Sequence, residues 1–424
     1  MITGDAATAA LARVDRLHSA LTHLVLEGGD LGQIADEVTR VMDVGLMFTS
    51  TDGRVTADSL AASVRERLVR HDLLDPTGRF RVERLRTGEE ILPGTAVVLL
   101  RIAAGGADLG RLACFRTGTT ISEEDVHALE RAAAVAALLI TREQAVSAVE
   151  NKYRGDFLRD VFLRRAGDGQ YVIKHAAGFG WDLTRPAVVV SAEIDPPGAD
   201  EEVSNDQQRQ WQERFARAWR QVSHDIDPGI ASVDFSSEVV TLLAVPPQPG
   251  SPSAAVAPPG YPTVGRAVTG VAGDRGGGRR RFTVGVSRIA NSWQDLPTAY
   301  AQARRALEVG RRVHGGGTTT YFDQLGVHRL IALVPDEREL RSFAHDVLGV
   351  LADDTAEAHD LRATLQVLLD TNFNVAEASR QQFFHYNTMR YRVGKLERLL
   401  GPLASDPNLR LDVAVALRVL EITG

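Results

Sequence analysis

Apolar residues near the start of the chain recur at helical spacing, at Leu11, Val14, Leu17, Leu21, Leu24 and Val25, which predicts a helix. A second helix is expected over 31–42. An apolar run at 44–48 then reads as a strand, and Thr51-Asp52-Gly53-Arg54 as a hairpin turn between extended segments. Strands are expected at 95–102 and 109–115, turned by Gly105-Gly106. This order of helix, hairpin and strands defines an α+β domain.

Ser122-Glu123-Glu124-Asp125 is a helix start, because Ser122 can cap backbone N–H groups and the acids favour the positive end of the helix dipole. That helix is expected over 123–149. Its middle, 132–140, is apolar almost all round and needs more than one packing partner.

Beyond it, the pattern predicts a helix at 153–165, a strand at 187–193, an amphipathic helix at 211–222 and a strand at 239–245. A Pro/Gly/Ser/Ala-rich loop is expected at 246–262 and a flexible basic turn at 276–281. A strand at 282–287 and a helix at 298–313 follow, and from Gly326 onward nearly everything reads as helical.

The densest pattern lies at 372–401, NFNVAEASRQQFFHYNTMRYRVGKLERLLG. Asn374 is a candidate N-cap for a helix at 375–382, and His385 for a second one from Tyr386 to Leu400 that stops at Gly401-Pro402. Phe383 and Phe384 are expected to anchor the turn. Met389, Val393, Leu396 and Leu400 define a core face, and Tyr386, Asn387, Arg390, Tyr391 and Lys395 the opposite one. Two short helices around a tight turn are what a helix-turn-helix requires, at 374–400 here. An amphipathic helix pair with a solvated charged face would show the same periodicity.

Charge adds to the first reading while the second stays open. The 424-residue chain carries a net charge of −7. Between Ala376 and Leu400, Arg380, Arg390, Arg392, Lys395 and Arg398 face only Glu377 and Glu397, five basic residues against two acidic ones, a local +3. Phosphate neutralisation needs such a reversal. Asn387 can pair bidentately with adenine and Arg390 with guanine, while Thr388 can hold a phosphate or touch a thymine methyl.

The string FFHYNTMRYRVGKLERLLG resembles the C-terminal helix-turn-helix of the PucR/CdaR family of bacterial transcriptional regulators. The matching positions are Ala378, Phe383, His385, Asn387, Thr388, Tyr391, Arg392, Leu396, Glu397 and Gly401, with a Leu/Ala-rich helix downstream at 409–422. Ser379, Gln382 and Tyr386 depart from the family pattern, where alanine, leucine and a basic residue are usual. The resemblance implies a DNA-contacting set of Tyr386, Asn387, Thr388, Arg390, Tyr391, Arg392 and Lys395.

Upstream, FTVGVSRIANSWQDLPTAYAQARRALEVG is similar to the end of the family's GGDEF-like domain. Cyclases of that superfamily need a GGDEF hairpin with acidic metal ligands, and none occurs between Tyr153 and Tyr321. The resemblance thus implies a degenerate, non-catalytic domain. The N-terminal segment is similar to a GAF-type sensor in its order of elements.

Other chemistry is sparse. His71, Asp72 and Asp75 lack a further ligand at metal spacing, Gly276–278 and Gly315–317 match no phosphate-binding loop, and no GxSxG elbow is present. The single cysteine, Cys114, sits in a predicted strand as a small core residue, and excludes an internal disulfide or cysteine cluster. The arginine bias, with only Lys152, Lys174 and Lys395 as lysines, reflects genome composition.

The expected fold class is multi-domain α+β: a GAF-like α+β sensor (1–120), a connecting helix (121–150), a degenerate GGDEF-like α/β domain (151–322) and an all-α helical domain (323–424). The function expected is an effector-responsive, sequence-specific transcriptional regulator of catabolic or metabolic genes. It would bind double-stranded DNA as a homodimer or higher homo-oligomer, with a small-molecule effector at the N-terminal domain. It would be cytoplasmic, with no membrane-spanning or secretory segment, and use no cofactor, metal or enzymatic chemistry. The alternative is a signalling or nucleotide-binding sensor whose C-terminal helices form a protein interface.

Overall fold

The computed structural model describes residues 16–17, 19–51, 53–75, 79–84, 92–198, 201–235, 237–245, 261–273 and 280–423. The positions Leu11 and Val14, Asp52 of the hairpin turn, most of the Pro/Gly-rich loop and Gly276–278 lie outside them. The chain divides into two compact units, Met1–Tyr153 and Arg154–Gly424.

The first unit is built on a four-stranded antiparallel sheet in the order β2-β1-β4-β3, from β1 (Gly45–Thr49), β2 (Val55–Ser59), β3 (Thr95–Ala104) and β4 (Ala107–Thr117). Helix α1 (Leu31–Met42) begins at a capping box in which Asp30 and Gln33 satisfy each other's backbone N–H groups. It buries Ile34, Ala35 and Val38 on one sheet face, together with Leu17, Leu21 and Cys114. The other face packs Leu68 of α2 (Ala62–Arg70) with Phe80 and Phe115. Burial pushes the Cys114 thiol up to about 12, as expected of a core residue. Asp72 accepts ion pairs from Arg81 and Arg84, both at 2.7 Å.

Helix α3 runs from Glu123 to Phe162. The helix expected to end at 149 and the one expected from 153 are therefore a single element, because residues 150–152 contain neither glycine nor proline. Its first turns bury Ala128, Leu129, Ala132, Ala133, Ala136 and Ala137 in the N-terminal core. Its last turns bury Phe157, Leu158, Val161 and Phe162 in the second unit. By length and composition it is also the one helix among the described residues apolar enough to cross a membrane, where the sequence reading expected no such segment.

The second unit opens with α4 (Gly169–Gly178), which the hydrophobic pattern did not predict. Its sheet has the order β6-β7-β5-β8-β9, from β5 (Ala187–Ile194), β6 (Ser232–Phe235), β7 (Glu238–Ala244), β8 (Phe282–Ala290) and β9 (Thr319–Tyr321). Every pair is antiparallel except β8–β9. With α5 (Asn205–Ile226) after β5 and α6 (Pro262–Gly273) after β7, β5 to β8 form a split βαββαβ unit. Helices α5 and α6 cover one face, and the end of α3, α4 and α7 (Leu296–His314) cover the other.

Helix α6 starts where a loop was expected; Pro262 sits at its first position, where a missing N–H does no harm. Gly285 of β8 lets α7 approach, since a Cβ there would lie 2.0 Å from the Ala303 carbonyl oxygen. The basic turn is engaged where described: Arg280 lies 3.4 Å over the Trp211 ring, and Arg281 donates to the Gly316 carbonyl at 2.8 Å.

The remainder is helical: α8 (Glu337–Leu348), α9 (Ala356–Asp370), α10 (Val375–Gln381), α11 (Tyr386–Leu400) and α12 (Pro407–Thr423). Ala306 and Val309 of α7 share a core with Phe322, Leu325, Leu340, Ala344 and with Val419 and Ile422 of α12. The C-terminal helices and the β-sheet domain of this unit are thus joined by continuous apolar packing.

Candidate nucleic-acid interface

Helix α10 begins at Asn374, whose Oδ1 accepts from the Glu377 N–H at 3.2 Å. Small residues at Ala378 and Ser379 are buried and admit close approach of the next helix. The turn closes with the Phe384 N–H donating to the Ser379 carbonyl at 2.9 Å and Phe383 in the left-handed region at φ +55°, the C-terminal closure that usually employs glycine. His385 then caps α11, its Nδ1 accepting from the Asn387 N–H at 3.3 Å.

One face of α11 is locked. Met389 and Leu396 are fully buried with Ala378, Leu361, Leu365, Leu368, Val413 and Ala416, and Val393 and Leu400 pack at the edge of that core. The opposite face presents Tyr386, Asn387, Thr388, Arg390 and Tyr391 to solvent. Among the described residues, the side chains of Asn387, Thr388 and Arg390 make no hydrogen bond or ion pair, so their polar groups are unsatisfied by protein.

Two predicted contact residues have carboxylate partners within the protein. The Arg392 guanidinium pairs with Asp360 at 2.6 Å, donates to Thr364 Oγ1 at 2.9 Å and lies 4.5 Å from the Phe384 ring centroid. Lys395 pairs with Glu357. Both acids come from α9, outside the window in which +3 was counted. Arg380 pairs with Glu377 of its own helix, which leaves Arg390 and Arg398 as the basic residues here without a carboxylate partner among the described residues.

Phe383 does not anchor the turn: it is 95% exposed. Its φ turns the side chain away from the core, and only Phe384 packs inward. No periodicity argument could have found this, since the left-handed turn residue breaks the helical register. Gln382, which stands where leucine is usual in the resemblance, buries its Oε1 without a hydrogen-bond partner among the described residues.

The β6–β7 turn passes from Phe235 to Glu238, and Glu238 is buried, accepting from Ser191 and Tyr300. That carboxylate is consumed by internal bonds, and burial followed by Glu238 raises the Tyr300 hydroxyl well above the ordinary tyrosine range.

A short helix, a tight turn and a capped second helix with an open polar face define a helix-turn-helix domain, carried beside a split βαββαβ domain. Comparison with known proteins agrees in both parts. The PucR C-terminal helix-turn-helix domain family matches residues 361–419, and the GGDEF-like domain family matches 164–309. The chain thus carries the two domains that these family models describe, a PucR-type helix-turn-helix and a GGDEF-like domain.

Among curated relatives, the purine catabolism regulatory protein of Bacillus subtilis (strain 168) is 31% identical over 141 residues, 33% of this chain and 26% of that one. The proline-responsive transcriptional activator PutR of the same organism is 22% identical over 140 residues, 32% of this chain and 34% of that one. The match therefore spans about a quarter to a third of the length of these relatives. A crystal structure of a regulator of polyketide synthase expression from Bifidobacterium adolescentis matches 62% of this chain and 90% of its own, at 16% identity and a TM-score of 0.28.

Proposed function

We propose that the chain is a sequence-specific, DNA-binding transcriptional regulator that reads the major groove through the start of α11. The observation that carries this reading is the open face of Asn387, Thr388 and Arg390, three side chains with unsatisfied polar groups at the N-terminal end of a helix whose other face is fixed in a core. Tyr386 and Tyr391 flank them. Arg392 and Lys395, held by α9, act in this reading by fixing the helix rather than by leading contact with bases.

The wider reading assigns sensing to residues 1–120, with a small-molecule effector, and DNA binding to 323–424 with the reader at 374–400. Dimerisation is part of it, since two such helices one DNA turn apart read a two-fold site. Relatives named as a purine catabolism regulatory protein and as a proline-responsive transcriptional activator support control of catabolic genes, and a cytoplasmic setting and a non-enzymatic role belong to the same reading.

The test is binding of the purified chain to its own upstream region at two salt concentrations, beside an Asn387→Ala/Arg390→Ala variant. The wild type should shift the fragment specifically and weaken as salt rises. The variant should lose about 1–3 kcal/mol of discrimination per lost bidentate contact and keep its thermal unfolding unchanged. Absence of specific binding to this or to fragmented genomic DNA would remove the reading and favour the protein-interface alternative.

A further inference from the structure

On the outer side of α7 an open groove of about 400 Å³ is lined by Arg164, Pro297, Thr298, Ala301, Gln302, Arg305 and Phe322. Thr298, Ala301, Gln302 and Arg305 fall on one face of α7 at helical spacing, and Arg164 enters from the left-handed turn that ends α3, at φ +60°. Two arginines line the groove and no carboxylate does. Neither Arg164 nor Arg305 has a carboxylate partner among the described residues, in a chain whose net charge is −7.

The neutral polar groups are set to donate. Gln302 Oε1 accepts the Arg288 backbone N–H at 3.1 Å, which leaves its amide N–H groups for a ligand, and the Thr298 hydroxyl is exposed. Pro297, Ala301 and the Phe322 ring supply apolar surface. The third nearby cation, Arg288, is already taken: it lies 5.4 Å over Phe322 and pairs with Asp323 at 2.5 Å.

We propose that this groove is a binding site for a small organic anion, a carboxylate or phosphate on an apolar body. Arg164 and Arg305 take the charge, Thr298 and Gln302 orient the oxygens, and the body lies against Pro297, Ala301 and Phe322. Cationic forks, free donors and an apolar wall in one concavity are the parts such sites use. Phe322 belongs also to the core that holds Val419 and Ile422 of α12. Occupancy therefore bears on the packing that seats the helix-turn-helix, and the groove is a second effector site outside the N-terminal unit. That regulatory half rests on the DNA-binding reading, whereas the binding half does not.

The test is calorimetric titration of the full chain with benzoate, phenyl phosphate and benzyl alcohol at matched ionic strength, on wild type, Arg164→Gln and Arg305→Gln. At least one anion should bind, benzyl alcohol should bind about tenfold or more weakly, and each arginine variant should lose about tenfold or more in affinity. Benzoate and phenyl phosphate separate carboxylate from phosphate selectivity. No binding of either anion, or binding unchanged in both variants, overturns the site. Operator affinity measured with and without the bound anion tests the second half. An unchanged affinity overturns the regulatory role while the calorimetry still decides the site, and a chain that binds no DNA at all fails the earlier reading alone.

Discussion

Phe383 has a backbone φ of +55° and an almost fully exposed ring. A bulky residue in the left-handed region is destabilised by about 1–2 kcal/mol, and this one recovers nothing by packing. Phe383→Asn, which tolerates that conformation, is expected to leave stability unchanged or raise it by about 1 kcal/mol in urea unfolding. A clear loss of stability would mean that the ring packs in solution. Arg390 and Arg392, two residues apart, make opposite predictions. Arg392 loses an ion pair, a hydrogen bond and a ring contact on truncation, so Arg392→Ala should lower stability by about 1–2 kcal/mol. Arg390→Ala should stay within about 0.5 kcal/mol of wild type and act on DNA alone. Equal losses of stability in the two variants would show that the locked and open faces of α11 are misassigned.

Among the elements, legibility followed the length of each periodic run. Leu31–Met42, Leu296–His314 and Tyr386–Leu400 were readable because an apolar stripe and a cap agree at each. Helix Pro262–Gly273 was hidden by a proline-rich approach, and Gly169–Gly178 by its shortness and the glycines around it. Helix α3 was cut in two because its polar stretch near 150 looks like a boundary, although nothing there stops a helix. Helix α11 could be located to the residue, cap included, since caps are local chemistry. Which of its basic residues stay free could not, because Asp360 and Glu357 arrive from an element whose contact with α11 is set by tertiary packing. The residue-by-residue resemblance likewise carries no information on whether a basic side chain turns inward.

Across the molecule, each unit has its own cores, and the acid limb of stability can be assigned to named groups. In the N-terminal unit Asp125 is partly buried, which by itself raises its pKa. Hydrogen bonds from Arg116 and Ser122 outweigh that burial and hold it below the ordinary aspartate range. A carboxylate depressed in the folded state contributes stability above its unfolded pKa and loses it as pH falls through the folded one. The Arg116–Asp125 contribution should therefore be complete at neutral pH and fade only below about pH 4. Asp125→Asn should flatten that limb when unfolding is followed against pH, and an unchanged pH profile would refute the assignment.

The shared packing of α7 and α12 has a practical corollary for anyone who would move this helix-turn-helix to another protein. The family segment at 361–419 ends before Ile422 and begins after Leu340, Ala344, Leu348 and Leu351, all of them buried against it. Excised at those borders, the fragment would carry a stripped flank where α7 had been. A working transplant would have to include α7, and with it the strand β8 against which Gly285 seats that helix. The helix-turn-helix is thus less a detachable cassette than the outer layer of a larger folding unit, and on the proposed reading specificity is better exchanged by rewriting Asn387 and Arg390 in place.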